Sequence, residues 1–244
     1  MSVIENLAKE AGSDDPGYVI PPDVTLAQCI GYAQRFVVGS PRDQPHYRYD
    51  RYLETLDRCM RDVPFDQSVQ TAMHLDLGAG PGLFTWVFWD FMHSVTSERK
   101  GLSLDLFGYD HATEMSTLAK RVWDGLGLQA TYRCLNSEDA VYASVWPQGP
   151  PTNVLITLGH SLMQVHRHGG LAIFAELCEA VAGLDRSARL VAVDAHSRER
   201  PREFDTAWEE FRSMMKDSRV RVRHKGPSER VATVELLSGP WRRQ

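Results

Sequence analysis

Met73-His74-Leu75-Asp76-Leu77-Gly78-Ala79-Gly80-Pro81-Gly82-Leu83-Phe84-Thr85 is the stretch whose reading decides the fold. Thr71 to Leu77 is a short apolar run of the kind that forms a central parallel strand. It ends in three alternating glycines and passes directly into a strongly apolar segment, residues 83–92. The order is strand, glycine turn, helix. Glycine lets the backbone turn sharply and come close to a ligand with no Cβ in the way, although a tight strand-to-helix turn can serve packing alone. The dinucleotide fingerprint G-x-G-x-x-G would need glycine where Leu83 stands, so the spacing here is G-x-G-x-G. Asp76 adds a carboxylate at the end of the strand. A negative group there opposes a pyrophosphate and suits a cationic ligand, because like charges in a poorly solvated site repel strongly.

Composition sets the frame around this motif. The chain has 244 residues, 43% hydrophobic and 24% charged, enough to bury one sizeable core. No apolar run reaches the roughly 20 residues of a membrane span. The first residues lack the basic-then-apolar pattern of a signal peptide. Cys29, Cys59, Cys134 and Cys178 are scattered without a C-x-x-C pair, so neither a zinc site nor a disulfide framework is expected. These features lead us to expect a soluble, cytoplasmic protein that does not contact a membrane. A formal net charge of −5 gives no general attraction to nucleic acid.

Residues 1–22 read as a poorly anchored tail. Leu26, Cys29, Ile30, Ala33, Phe36 and Val37 then recur at helical spacing, with Gly39 as a stop. A second helical pattern runs through Tyr49, Tyr52, Leu53, Leu56, Met60 and Val63. Residues 1–70 therefore make a tail and helical cap, and residues 71–244 the main domain. Strand-like runs follow at 102–109, 130–135, 153–158 and 189–194, with helical patterns between them and a loop over 141–151. The chain closes with strands at 220–224 and 231–237, joined by a turn containing Gly226-Pro227-Ser228, which makes them an antiparallel hairpin. Such alternation predicts an α/β fold with a mostly parallel sheet.

Candidate chemistry collects at the strand ends, where open α/β sheets bind ligands. Asp110 closes the second strand and can accept hydrogen bonds from ribose hydroxyls. His160 follows the fourth strand, with Gly159 before it permitting close approach. A neutral histidine at that point can serve as a general base near pH 7. His166 and His168 are rivals in the next connection. No Glu or Cys completes a ligand set of recognised spacing around these histidines, so no metal is expected.

Asp76-Leu77-Gly78-Ala79-Gly80-Pro81-Gly82 resembles motif I of the class I S-adenosylmethionine-dependent methyltransferases. Gly108-Tyr109-Asp110-His111-Ala112-Thr113-Glu114-Met115 resembles the second motif of that family. The resemblance covers roughly residues 71–237. It implies a Rossmann-like, mostly parallel seven-stranded sheet with a C-terminal antiparallel hairpin. It also implies S-adenosyl-L-methionine as cofactor, with Asp76, Gly78, Ala79, Gly80 and Gly82 around its methionine end. Asp110 would hold the ribose, with His111 and Met115 beside it. The family's adenine-contacting turn corresponds loosely to Asn136 and Ser137, with Asp139 as an alternative. Leu158 and His160 fall in the segment that faces the transferred methyl. Tyr47, Tyr49 and Tyr52 in the cap would serve either as packing or as a lid over the cofactor. The implied activity is methyl transfer to an oxygen or nitrogen of a small molecule. The competing classes are an RNA or protein methyltransferase, a nicotinamide dehydrogenase, and a non-catalytic partner of the same fold in a complex.

Overall fold

A computed structural model of the chain describes residues 2–14, 21, 23–38, 47–62, 71–96, 103–128, 131–145, 153–182, 188–195, 202–215, 218–225 and 229–236. The apolar runs form five parallel strands, β1 Thr71–Leu77, β2 Ser103–Tyr109, β3 Thr131–Leu135, β4 Asn153–Gly159 and β5 Ala188–Ala195. Two further strands, β6 Ser218–Lys225 and β7 Glu229–Leu236, pair antiparallel with each other, and β7 pairs antiparallel with β5. The sheet order is β3-β2-β1-β4-β5-β7-β6. The chain moves outward from β1 to β3 and then returns to β4. This reversal opens a crevice beyond the carboxyl ends of β1 and β4, the usual ligand position in such sheets.

Helices α4 Leu83–Thr96, α5 Thr113–Leu126, α6 Glu138–Val145, α7 Leu162–Arg167, α8 Leu171–Ala182 and α9 Glu203–Met214 connect the strands. Before β1 come α1 Ser2–Ala11, α2 Leu26–Ala33 with a π-helical turn over Gln34–Val38, and α3 Tyr47–Asp62. Strand side chains alternate between two faces, so each face has its own core. Met73, Leu75 and Leu77 pack with Ile156, Leu158, Leu177 and Trp208 on one side. Ala72 packs with Phe84, Phe88, Leu106, Leu155 and Ile30 on the other, and this second layer is where the first three helices join the domain.

Two readings of the sequence are corrected here, and a connection is given its form. The expected tail contains α1, whose Ile4 is buried and whose Val3 lies against Gly125 of α5. Ile4, Leu7 and Ala8 carry the helical spacing that anchors it. The first part of the expected 141–151 loop continues α6, where Glu138 and Asp139 favour the helix start and Val141 is buried. The connection holding His166 is itself helical, forming α7. Gly39, Val63, residues 146–151 and the Gly226-Pro227-Ser228 turn lie outside the described residues.

One contact in β2 bears on the floor of the crevice. Tyr132 of β3 stacks on Trp123 of α5, with centroids 4.4 Å apart and planes 18° apart. Its hydroxyl fills the space beside Gly108, where an added Cβ would lie only 2.3 Å away.

Candidate functional site

The glycine loop is built on left-handed backbone. Gly78, Gly80 and Gly82 have φ of 71°, 54° and 76°, values that a Cβ disfavours. Their surroundings differ. A Cβ on Gly78 would meet the Ser161 Cβ at 2.5 Å, and one on Gly82 the Trp123 indole nitrogen at 2.8 Å. A Cβ on Gly80 would meet nothing within 4 Å. The loop is thus clamped at both ends and open at its centre. Its hydrogen bonds fit that description: Ala79 N–H donates to Tyr109 O at 2.8 Å, and Ser161 Oγ donates to Leu77 O at 2.7 Å.

The two acids at the strand ends do different work. Asp110 accepts the Gly80 N–H on Oδ2 at 3.0 Å and the Ala112 N–H on Oδ1 at 2.9 Å. Burial raises its pKa, partly offset by those bonds and by neighbouring His111. A carboxylate has about four lone-pair positions, so both oxygens keep acceptor capacity. Asp76 points into the layer beneath. It pairs in register with Gly108 on one side and Thr157 on the other. Thr157 Oγ1 donates to its Oδ1 at 2.9 Å and Thr85 Oγ1 to its Oδ2 at 3.2 Å. The Thr157 oxygen also lies 2.9 Å from His74 Nε2. Because Thr157 has committed its proton to Asp76, it accepts from the His74 N–H, and His74 Nδ1 has no protein partner. Burial pushes Asp76 up to about 7 and His74 down to about 3. Asp76 therefore lies beneath the loop, bonded to the threonines of β4 and α4, and the residue is only 1% exposed.

Across the crevice, β4 ends in Gly159 and His160 follows it. His160 adopts φ of 59°, the one left-handed non-glycine among the described residues. Such a conformation costs on the order of 1–2 kcal/mol and persists only where neighbours enforce it. Its N–H donates to Val193 O of β5 at 2.6 Å, and its ring Nδ1 lies 2.8 Å from the Tyr52 hydroxyl of α3. Tyr52 is buried and stacks on Phe84 with centroids 4.0 Å apart. Burial and the positive charge of Arg48 hold His160 well below its usual range. Tyr49 of the same helix donates its hydroxyl to Asp90 at 2.6 Å, tying α3 to α4.

The remaining candidates divide. His111 and Asn136 are exposed near Asp110 and Thr113, with Asn136 Nδ2 donating to Thr113 Oγ1 at 3.4 Å. Ser137 is exposed beside α6, as is Asp139 within it. Met115 and Leu158 are buried in the two apolar cores, Met115 in the α5 layer and Leu158 in the opposite one. The Leu158 side chain thus points away from the Thr157 and Asp76 face. His166 Nε2 sits 3.0 Å from Glu210 Oε2 of α9, and His168 caps the end of α7. Of the three neighbouring histidines, His160 is the one joined to the cap. No cluster of metal-ligating side chains occurs among the described residues. Thr85, Thr157 and Ser161 belong to the site and were not singled out from sequence. Only Thr157 had a signal, two residues before Gly159 on the strand face it shares.

No protein-family model matches the chain, and no curated protein does. Solved structures do. The chain superposes on the 16S rRNA methylase ArmA with a TM-score of 0.55 at 11% identity, covering 97% of each chain. A putative rRNA methylase from Clostridium thermocellum gives 0.52 at 13% identity, over 78% of this chain and 97% of that one. An S-adenosylmethionine-dependent methyltransferase from Clostridium acetobutylicum gives 0.50 at 10% identity, over 85% and 96%. At these identities the likeness is one of fold: the Rossmann-like α/β fold of the class I methyltransferases.

Proposed function

We propose that this protein transfers a methyl group from S-adenosylmethionine to an oxygen or nitrogen nucleophile of a small molecule. The observation that carries it is the glycine loop, clamped at Gly78 and Gly82, open at Gly80, and bordered by Asp110. Those residues fit the cofactor. The open centre gives its methionine end room against main chain, and Asp110 has lone pairs for ribose hydroxyls. When bound, S-adenosylmethionine supplies an electrophilic sulfonium methyl, whose transfer to a lone pair leaves the broken bond's electrons on sulfur.

The chain's own residues hold and exclude. Ala79, Gly80 and their neighbours line the cradle, with Asp76 steadying it from beneath through Thr85 and Thr157. His111, Asn136 and Ser137 border the nucleoside side. Met115 and Leu158 support the floor from within the core. His160 stands at the acceptor side, and Tyr52, with the helices of residues 1–70, covers the crevice as a cap. Such a site accelerates transfer chiefly by alignment and removal of water.

Calorimetry with S-adenosylhomocysteine and with NAD tests the proposal. Binding of the first and none of the second supports it; the reverse overturns it. A specific observation favours a second reading, transfer to RNA, because ArmA matches along 97% of both chains. The net charge of −5 weighs against it. A steep fall of RNA affinity with salt would bring it forward.

A further inference from the structure

The contact between Tyr52 and His160 decides what His160 can do. Their partner atoms come from positions 108 residues apart and meet at 2.8 Å. The contact is not incidental, because the surroundings are shaped for it. Tyr52 is held flat against Phe84, with the planes 10° apart. A Cβ on Gly159 would sit 2.7 Å from the Tyr52 oxygen, so glycine is what lets the hydroxyl reach the imidazole. His160 takes a left-handed backbone that brings its ring to that hydroxyl, and its N–H is fixed on Val193.

The direction of the hydrogen bond follows from the chemistry of the two groups. A phenol is a good donor and a poor acceptor, whereas a bare imidazole nitrogen is among the best neutral acceptors in a protein. The favourable arrangement is Tyr52 O–H donating to Nδ1. A neutral imidazole carries one proton, and with Nδ1 accepting, that proton is on Nε2. Resting on the methyltransfer reading above, we propose that Tyr52 locks neutral His160 in the Nε2–H tautomer, making it a hydrogen-bond donor to the methyl acceptor and not a base. The charged and titratable groups that bear on the ring among the described residues are Tyr52 and Arg48, both of α3, and neither favours the imidazolium.

Substrate class follows from the tautomer. Nε2 offers a proton and no lone pair, so the atom it meets must accept: a carboxylate, a carbonyl or a hydroxyl oxygen presenting a lone pair. A hydroxyl or ammonium needing deprotonation would find no vacant nitrogen there, and any proton lost by the acceptor passes to solvent. Tyr52 is a positioning residue in this arrangement, and His160 is the group that touches substrate.

Nitrogen NMR on the full chain tests this without knowing the acceptor. In a long-range proton–nitrogen spectrum of histidine-labelled protein at pH 7.5, each ring nitrogen reads as protonated or bare. His160→Gln identifies the His160 signals by their loss. The expected pattern is a protonated Nε2 and a bare Nδ1, unchanged from pH 6 to 9. Tyr52→Phe keeps the stacked ring and removes the donor, and should shift Nδ1 and admit the other tautomer. A wild-type Nδ1–H with bare Nε2 would overturn the proposal, as would signals unmoved by Tyr52→Phe. Calorimetry with S-adenosylhomocysteine on the same sample separates the two ideas. Binding with the wrong tautomer sinks only the lock. Absence of binding sinks the methyltransfer reading and leaves the tautomer to the spectrum.

Discussion

On the β1 side of the crevice the site is made of main chain. Three left-handed glycines, the Gly80 N–H on Asp110 and the Ala79 N–H on Tyr109 O all come from a span between residues 78 and 110. On the β4 side it is made of side chains brought from afar: Tyr52 on His160, and Ser161 on the end of β1. A ligand common to many reactions can be held by backbone geometry, which a short motif encodes in full. An acceptor peculiar to one enzyme has to be met by side chains, and their choice leaves no contiguous mark.

The largest effect expected from breaking this division is at Gly78. Its Cβ would collide with Ser161 and its φ would be strained, so Gly78→Ala should cost about 2–4 kcal/mol of stability. Gly80→Ala meets open space and should cost only about 1 kcal/mol, while still narrowing the cradle. Thermal melts of the pair settle this; equal losses would show that the loop is not clamped against β4. Next in size is Asp110→Ala. Loss of a charged acceptor should weaken S-adenosylhomocysteine binding by about 1.5–3 kcal/mol, read by calorimetry on a variant that circular dichroism shows to be folded. His160→Ala should leave that affinity within about 0.5 kcal/mol, because His160 bonds to Val193 and Tyr52 and not to Asp110 or the glycine loop. A larger loss would join the sides that the comparison separates.

A separate effect concerns pH and the chain beneath the loop. His74 stays neutral in the fold down to about 3, while an unfolded histidine takes its proton near 6.5. Stability from His74 therefore drains away as pH falls from about 6.5 toward 3. Asp76 behaves oppositely. It keeps its proton up to about 7 in the fold but loses it near 3.8 when unfolded, so its contribution drains as pH rises through that window. The two slopes oppose each other between about 4 and 6.5. Asp76→Asn should remove one of them, and melts between pH 4 and 7 should then show stability falling steadily toward acid.

Legibility in the sequence follows the same line. The strand, glycine turn and helix were readable because one uninterrupted segment encodes them, and Asp110 because it closes the next strand. Asp76 was placed against the ligand, yet its register beside Thr157 turns it into a bonded floor, a fact visible only once β1 and β4 are side by side. Leu158 and Met115 were read from motif position, which carries no information about the face on which a side chain emerges. α1 was missed although Ile4, Leu7 and Ala8 repeat at helical spacing, because a short helix takes its stability from the α2 and α5 surface it lies on.

The Tyr132 hydroxyl beside Gly108 limits which substitutions this molecule can accumulate, and in what order. Alanine at 108 is blocked while the tyrosine oxygen sits 2.3 Å from where its methyl must go. Phenylalanine at 132 vacates that spot, although the ring carbon and the Ala79 Cβ, each 3.1 Å from the added Cβ, must still give way slightly. Gly108→Ala should thus be harmful alone and tolerated after Tyr132→Phe. The two positions, in different strands, form one heritable unit in which the later change depends on the earlier.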